Sequence, residues 1–242
     1  MLTNLLQLIE SLRDRTIRLD LWFLKLSQTS AAPMPLSAAT IGTFPASIGL
    51  RQLALVASYL REPELKINEI RSYHQRLRKD HNALRGFVSR WHQNISEDGS
   101  LPPDDSRYNK KLLDRYHLMY GVMMSIHAVI NALLRTLHPE DALLLLEARA
   151  ITADILDLSR ATWRCGPFGE ISAPLYLIAA WCTTPDLDKQ MEVEQRLAEQ
   201  QHGFANTQWI DYAKCAMAVL ERLKQRLLSD RHLHYQACDE FL

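Results

Sequence analysis

The sequence predicts an all-α protein, an irregular multi-helix domain of antiparallel helix pairs. Three observations predict it. Glycine is scarce, with 8 in 242 residues. Leucine, alanine, arginine and glutamate recur at three- and four-residue spacing, the period of a helix with one apolar face. Extended runs of alternating β-branched and polar residues, which mark half-buried strands, are missing. The apolar fraction of 47% excludes global disorder, and the length is enough to bury a real core.

The elements follow in chain order. Residues 2–26 place Leu2, Leu5, Ile9, Leu12 and Thr16 on one helical stripe. The segment 27–49 carries three prolines and two glycines, which predicts a loop. A boundary is therefore expected, with an N-terminal helix and proline-bearing loop over 1–46 and a helical domain over 47–242. A short helix over 48–61 ends at Pro63. From Glu64 a long stripe runs through Ile70, Tyr73, Leu77, Leu84, Val88, Trp91 and Ile95. The double proline of "SEDGSLPPDDS" stops that helix, and an acidic or serine cap starts the next. That next helix, 106–137, aligns Leu112, Tyr116, Tyr120, Met123, His127, Ile130 and Leu134. A helix over 138–163 follows, with Pro139 in its first turn. "CGPFGE" (165–170) then predicts a sharp turn, and Pro174 opens a short helix covered by Leu175, Leu177, Ile178, Trp181 and Cys182. A helix apolar all round belongs in the centre of a fold, which predicts a buried Trp181. "TTPDL" ends it and caps a charged helix at Thr184, and a last helix spans roughly 207–229.

Charge and cysteine usage narrow the function classes. Lys and Arg (28) balance Asp and Glu (28), whereas a DNA-binding domain standing alone is usually basic. The four Lys/Arg in "HQRLRKDHNALR" (74–85) read as the wet face of a long helix rather than a nucleic-acid stripe. The longest unbroken apolar runs, "ALLLL" and "APLYLIAAWC", are well short of a membrane span, and the N-terminus lacks the layout of a signal peptide. The four cysteines, Cys165, Cys182, Cys215 and Cys238, form no C-x-x-C pair and read as buried or inert thiols in a reducing compartment.

Candidate chemistry is sparse. No phosphate-cradling glycine loop, H-E-x-x-H or G-x-S-x-G occurs, so no catalytic residue, metal site or cofactor is assigned. His232, His234 and Cys238 could approach a metal, but no fourth ligand is evident. Asp154 and Asp157, one turn apart, read as a wet face or as partners of Arg149 and Arg160. The stripe "YHLMYGVMMSIH" (116–127) combines adaptable methionines with polar tips, while Gly121 permits close approach by another helix or a ligand. Tyr116, Tyr120, Met123 and His127 are the candidate ligand-binding residues, with ordinary core packing as the competing reading.

The order "GPFG" (166–169), "PLYLIAAWC" (174–182), "TTPDL" and "DKQMEVEQRLAEQ" resembles the C-terminal regulatory region of fungal binuclear zinc-cluster (Zn₂Cys₆) transcription factors. Upstream, "LRGFVSRWHQNISEDGSLPP" and "LLDRYHLMYGVMMSIHAVINALL" are similar to that family's tryptophan-bearing amphipathic helix, its proline loop and its following helix. The resemblance spans about residues 70–215. It implies a nuclear or cytoplasmic regulator acting through an effector and dimerisation domain, with protein partners or a homodimer and a small-molecule effector. It further implies control of a secondary-metabolite gene cluster, or a detached regulatory fold serving the pathway as a binder or enzyme. The family's DNA-binding module needs six closely spaced cysteines, and this chain has none before Cys165. Direct sequence-specific DNA binding by this chain is therefore not expected, and the short apolar runs predict no membrane role.

Overall fold

The computed structural model describes residues 50–98, 103–162, 167–201 and 209–239; the predicted N-terminal helix and its loop lie outside them. The chain divides into two units, Met1–Ala57 and Ser58–Leu242. Within the described residues are seven α-helices, one 3₁₀ turn at Glu64–Lys66 and no strand, the all-α architecture read from the sequence. The helices are α1 (Leu50–Arg61), α2 (Ile67–Asp98), α3 (Pro103–Leu137), α4 (Ala142–Thr162), α5 (Pro167–Thr183), α6 (Leu187–Gln201) and α7 (Trp209–Asp239). α1 runs across the boundary between the two units.

In the second unit, α3 is the central element, packed on α2, α4 and α5, while α5 in turn carries α6 and α7. The apolar spacing explains these faces. Ile70, Tyr73, Leu77 and Leu84 of α2 are buried at steps of three, four and seven, and Leu144, Ala148, Ile151, Ile155 and Leu158 do the same on α4. α3 buries Met123, Met124, Ile126, Ile130 and Leu133, because it has neighbours on several sides. Its segment His117–Leu137 is long and apolar enough to cross a membrane, a property that counting unbroken apolar runs does not reveal. Most of that segment is buried inside the fold, as a core helix is.

Gly121 marks a close approach of α5 to α3. A Cβ there would lie 2.4 Å from Cδ1 of Tyr176, whose ring is itself buried. The sequence left a helix or a ligand as the object approaching Gly121, and here it is the Tyr176 ring of α5.

Local details differ from the sequence reading at four helix starts. α3 begins at Pro103, not at 106, so Asp104, Asp105 and Ser106 lie within its first turn rather than capping it. α4 begins at Ala142, not at 138, because Asp141 caps it by accepting from the amides of Leu143 (3.0 Å) and Leu144 (3.4 Å). α5 begins at Pro167, so the fixed φ that suits a first helical residue is supplied there and Pro174 sits inside the helix. α6 begins at Leu187, with the Asp186 carbonyl accepting its first bond from Gln190 (2.9 Å), so Thr184 and Pro185 form the break rather than the cap and first turn.

The burial of α5 is also one-sided. Ala173, Tyr176, Leu177 and Ala180 are buried, whereas Leu175, Ile178 and Trp181 are partly exposed. Trp181 is not the core residue predicted. Its indole turns to the charged α6 and donates to Glu194 (3.3 Å), which keeps the N–H paired at the edge of the core. Cys182 is the buried thiol expected: it donates to the Ala213 carbonyl of α7 (3.3 Å), and burial pushes its pKa up to about 12. Cys215 is exposed.

Candidate functional site

α2 and α4 flank α3, and the gap between them is spanned by long polar side chains rather than by close backbone packing. These side chains form two layers. Heptad spacing explains why: residues seven apart return to the same helical face two turns on. His74 and His81 are so related on α2, as are Arg78 and Arg85; Tyr120 and His127 are on α3, and Glu147 and Asp154 on α4. Because His127 meets His74 and Glu147 while Tyr120 meets His81, α3 runs antiparallel to both neighbours.

The first layer centres on Glu147. Its carboxylate faces His74 Nε2 at 2.8 Å, His127 Nε2 at 3.3 Å and Arg78 Nε at 2.8 Å. Asn131 donates to it at 3.0 Å, and the same amide nitrogen reaches the Leu144 carbonyl. Arg135 donates to the Asn131 side-chain oxygen (3.0 Å) and to the Thr183 carbonyl, which ties this layer to the end of α5. His74 and His127 are buried, with ring centroids 5.2 Å apart. Neither nitrogen of the His127 ring has a well-aligned hydrogen bond, nor has His74 Nε2, although all three are buried. The imidazoles approach the carboxylate closely but poorly aligned.

Electrostatics follow from that geometry. Burial pushes the His127 pKa below its ordinary value, against the pull of Glu147, so the ring is held neutral. Burial alone would raise Glu147, but the two imidazoles facing it more than offset this and hold the carboxyl far below the usual range.

The second layer is closed. His81 Nε2 lies 3.0 Å from both the Tyr120 hydroxyl and Asp154 Oδ2, and Arg85 reaches the other Asp154 oxygen at 3.2 Å. Burial is the main cause that pushes the Tyr120 phenol well up, so it stays protonated. The layers touch where the His81 and His127 rings meet edge-on, centroids 5.3 Å apart.

Of the residues singled out in the sequence, Tyr120, Met123 and His127 are buried on α3, and Tyr120 and His127 enter adjacent layers. Met123 is fully buried. Tyr116 lies on α3, but its side chain is outside those described, as are those of His232, His234 and Cys238 on α7. Asp154 does not join a wet face: it turns inward to His81 and Arg85, while Asp157 stays exposed and pairs with Arg160 at 2.5 Å. Arg149 pairs with Asp186 instead. The sequence reading missed His74, His81 and Glu147. The signal was present as the paired seven-residue spacings, hidden because each acid and histidine sits among charged neighbours.

No family model matches the chain, and no curated protein or solved structure is significantly similar to it.

Proposed function

We propose that this chain is a transcription-regulator-like protein that modulates a fungal secondary-metabolite gene cluster through an effector and dimerisation domain, without a zinc-cluster module of its own. The observation that carries the reading is the arrangement of α5 and α6. A proline-bearing apolar helix buries Tyr176, Leu177 and Ala180 among α3, α4 and α7, breaks at Thr184–Pro185 and gives way to a charged helix. That arrangement fits the segment in which the resemblance to the fungal regulators is densest. Leu143 and Leu146 on α4, and Leu187 and Met191 on α6, are large apolar side chains left exposed, which supports a partner protein or a homodimer. The protein then acts in the nucleus or from the cytoplasm on a partner that supplies the DNA contact.

A second reading, a detached regulatory fold that binds a small molecule or serves as a pathway enzyme, is favoured by the buried Tyr120 and His127. Those side chains are packed, so a guest there must part the helices, and it biases the fold only by its preference for the parted arrangement.

Deleting the gene and profiling transcripts and metabolites together separates the two. A regulator lowers or raises cluster transcripts. Unchanged transcripts with an accumulating intermediate overturn the regulator reading and favour the enzyme.

A further inference from the structure

The first polar layer holds a set of donors that its own hydrogen bonds do not use. We infer that His74, His127 and Glu147 form a binding site for a divalent first-row transition cation of the zinc class, entered beneath Arg78. This holds whichever reading of the protein's function is correct.

The geometry is the first support. One ligand atom from each of the three residues lies within 4.8 Å of the other two. Zinc bonds of about 2.0–2.2 Å to nitrogen and oxygen put tetrahedral ligand atoms roughly 3.3–3.5 Å apart. His127 Nε2 lies 3.3 Å from Glu147 Oε1, which has that spacing, and His74 Nε2 lies 2.8 Å from the other oxygen, Oε2, so a small opening lets a cation meet both rings and the carboxylate. Two imidazoles and one carboxylate suit zinc or iron(II), leaving positions for water or another ligand.

The second support is independent. A buried polar atom without a hydrogen bond is costly, and native interiors hold few of them. Here His127 is 1% exposed with both ring nitrogens lacking an aligned partner, and His74 Nε2 is in the same condition. A lone pair aimed at a cation is satisfied without an aligned N–H, so a metal removes an expense that the protein–protein contacts leave in place. The surroundings also hold the carboxylate in position: Asn131 donates to Glu147 and is itself held by Arg135 and the Leu144 carbonyl.

Arg78 is the natural gate. Its guanidinium lies 2.8 Å from Glu147, yet its side chain is 59% exposed. It neutralises the carboxylate when no cation is bound, and it can swing into solvent when one enters. The second layer offers no equivalent, because His81 Nε2 is already engaged by Tyr120 and Asp154.

The test uses the full chain, stripped with chelator and titrated with Zn²⁺ by calorimetry and with Co²⁺ by visible absorption. One equivalent of either ion is expected, with a cobalt d–d spectrum that lacks a thiolate charge-transfer band. His127→Gln and Glu147→Gln should each weaken binding by about 100-fold or more, beyond the loss typical of groups that merely support a ligand. Arg78→Gln, at an exposed position, should strengthen binding several-fold by removing a competing cation. A triple change at the tail, His232→Ala, His234→Ala and Cys238→Ser, should leave affinity unchanged. No binding by the wild-type chain overturns the proposal without any variant. So does binding that survives both His127→Gln and Glu147→Gln or vanishes with the tail triple. If those two core variants fail to fold, an Arg78→Gln protein with unchanged or weaker affinity overturns it instead.

Discussion

The two polar layers between α2, α3 and α4 occupy equivalent heptad positions, yet they end differently. In both, a histidine from α2 meets an acid from α4, with an arginine of α2 on the rim. The contrast comes from α3. Tyr120 brings a hydroxyl to His81, and its layer closes as a hydrogen-bonded unit. His127 brings a second imidazole of the same kind as His74, and two rings crowd one carboxylate without aligned hydrogen bonds. A phenol supplies both a donor and an acceptor that rotate into place, while a rigid ring fixes its nitrogens wherever packing puts it. One residue type at one position therefore separates a sealed structural contact from a layer with spare ligand capacity.

The largest effect that should sharpen this contrast comes from the acids. Glu147→Gln leaves Arg78 and two buried rings around an uncharged group, and should cost about 3–5 kcal/mol, the range for breaking a buried pair. Asp154→Asn keeps an acceptor for His81 beside the Tyr120 hydroxyl, and should cost about 1–3 kcal/mol. Urea melts of both variants check the order, and equal costs would mean that the layers do not differ as described.

Next comes acid. His127 has a depressed pKa in the fold, facing His74 on α2, Glu147 on α4 and the edge of His81. Below its ordinary value of 6.5 the unfolded chain takes up a proton that the folded ring resists, so stability falls as pH drops through that range. Glu147, also depressed, stabilises the fold above its ordinary value of 4.5, and this is lost as pH falls further toward the folded value. In chelator, unfolding midpoints should therefore decline in two stages from neutral pH downward. His127→Phe should remove the upper stage and weaken the lower, because the His127 ring is one of the two that hold Glu147 down.

The smallest effect tests the closed layer. Tyr120→Phe removes one hydrogen bond while Asp154 still holds His81, so about 1 kcal/mol should be lost. A much larger loss, measured by the same melts, would show that the phenol organises both layers through the His81–His127 contact.

Apolar periodicity by itself determined the helices and their inward faces. Ile70, Tyr73 and Leu77, or Ile151, Ile155 and Leu158, face the core because the solvent cost of leaving them outside is set by residue type and helical spacing. The same reasoning chose His127 and Tyr120, since each interrupts an apolar stripe. It failed for His74, His81, Glu147 and Asp154, whose burial runs against their own hydration. A charged side chain goes inside only where a partner from another helix repays its desolvation, and that partner is set by which helices become neighbours. It failed likewise for Trp181, because an all-round apolar helix has no preferred face until α3, α6 and α7 decide which of its sides they cover. Pro174 and Pro167 divide on the same ground: both suit a first turn, and local chemistry does not choose between them. What the sequence by itself determined is the all-α class and the apolar faces, which are local and periodic. Which polar residues meet was decided only by the tertiary structure, because pairing energy exists only between groups that the fold brings together.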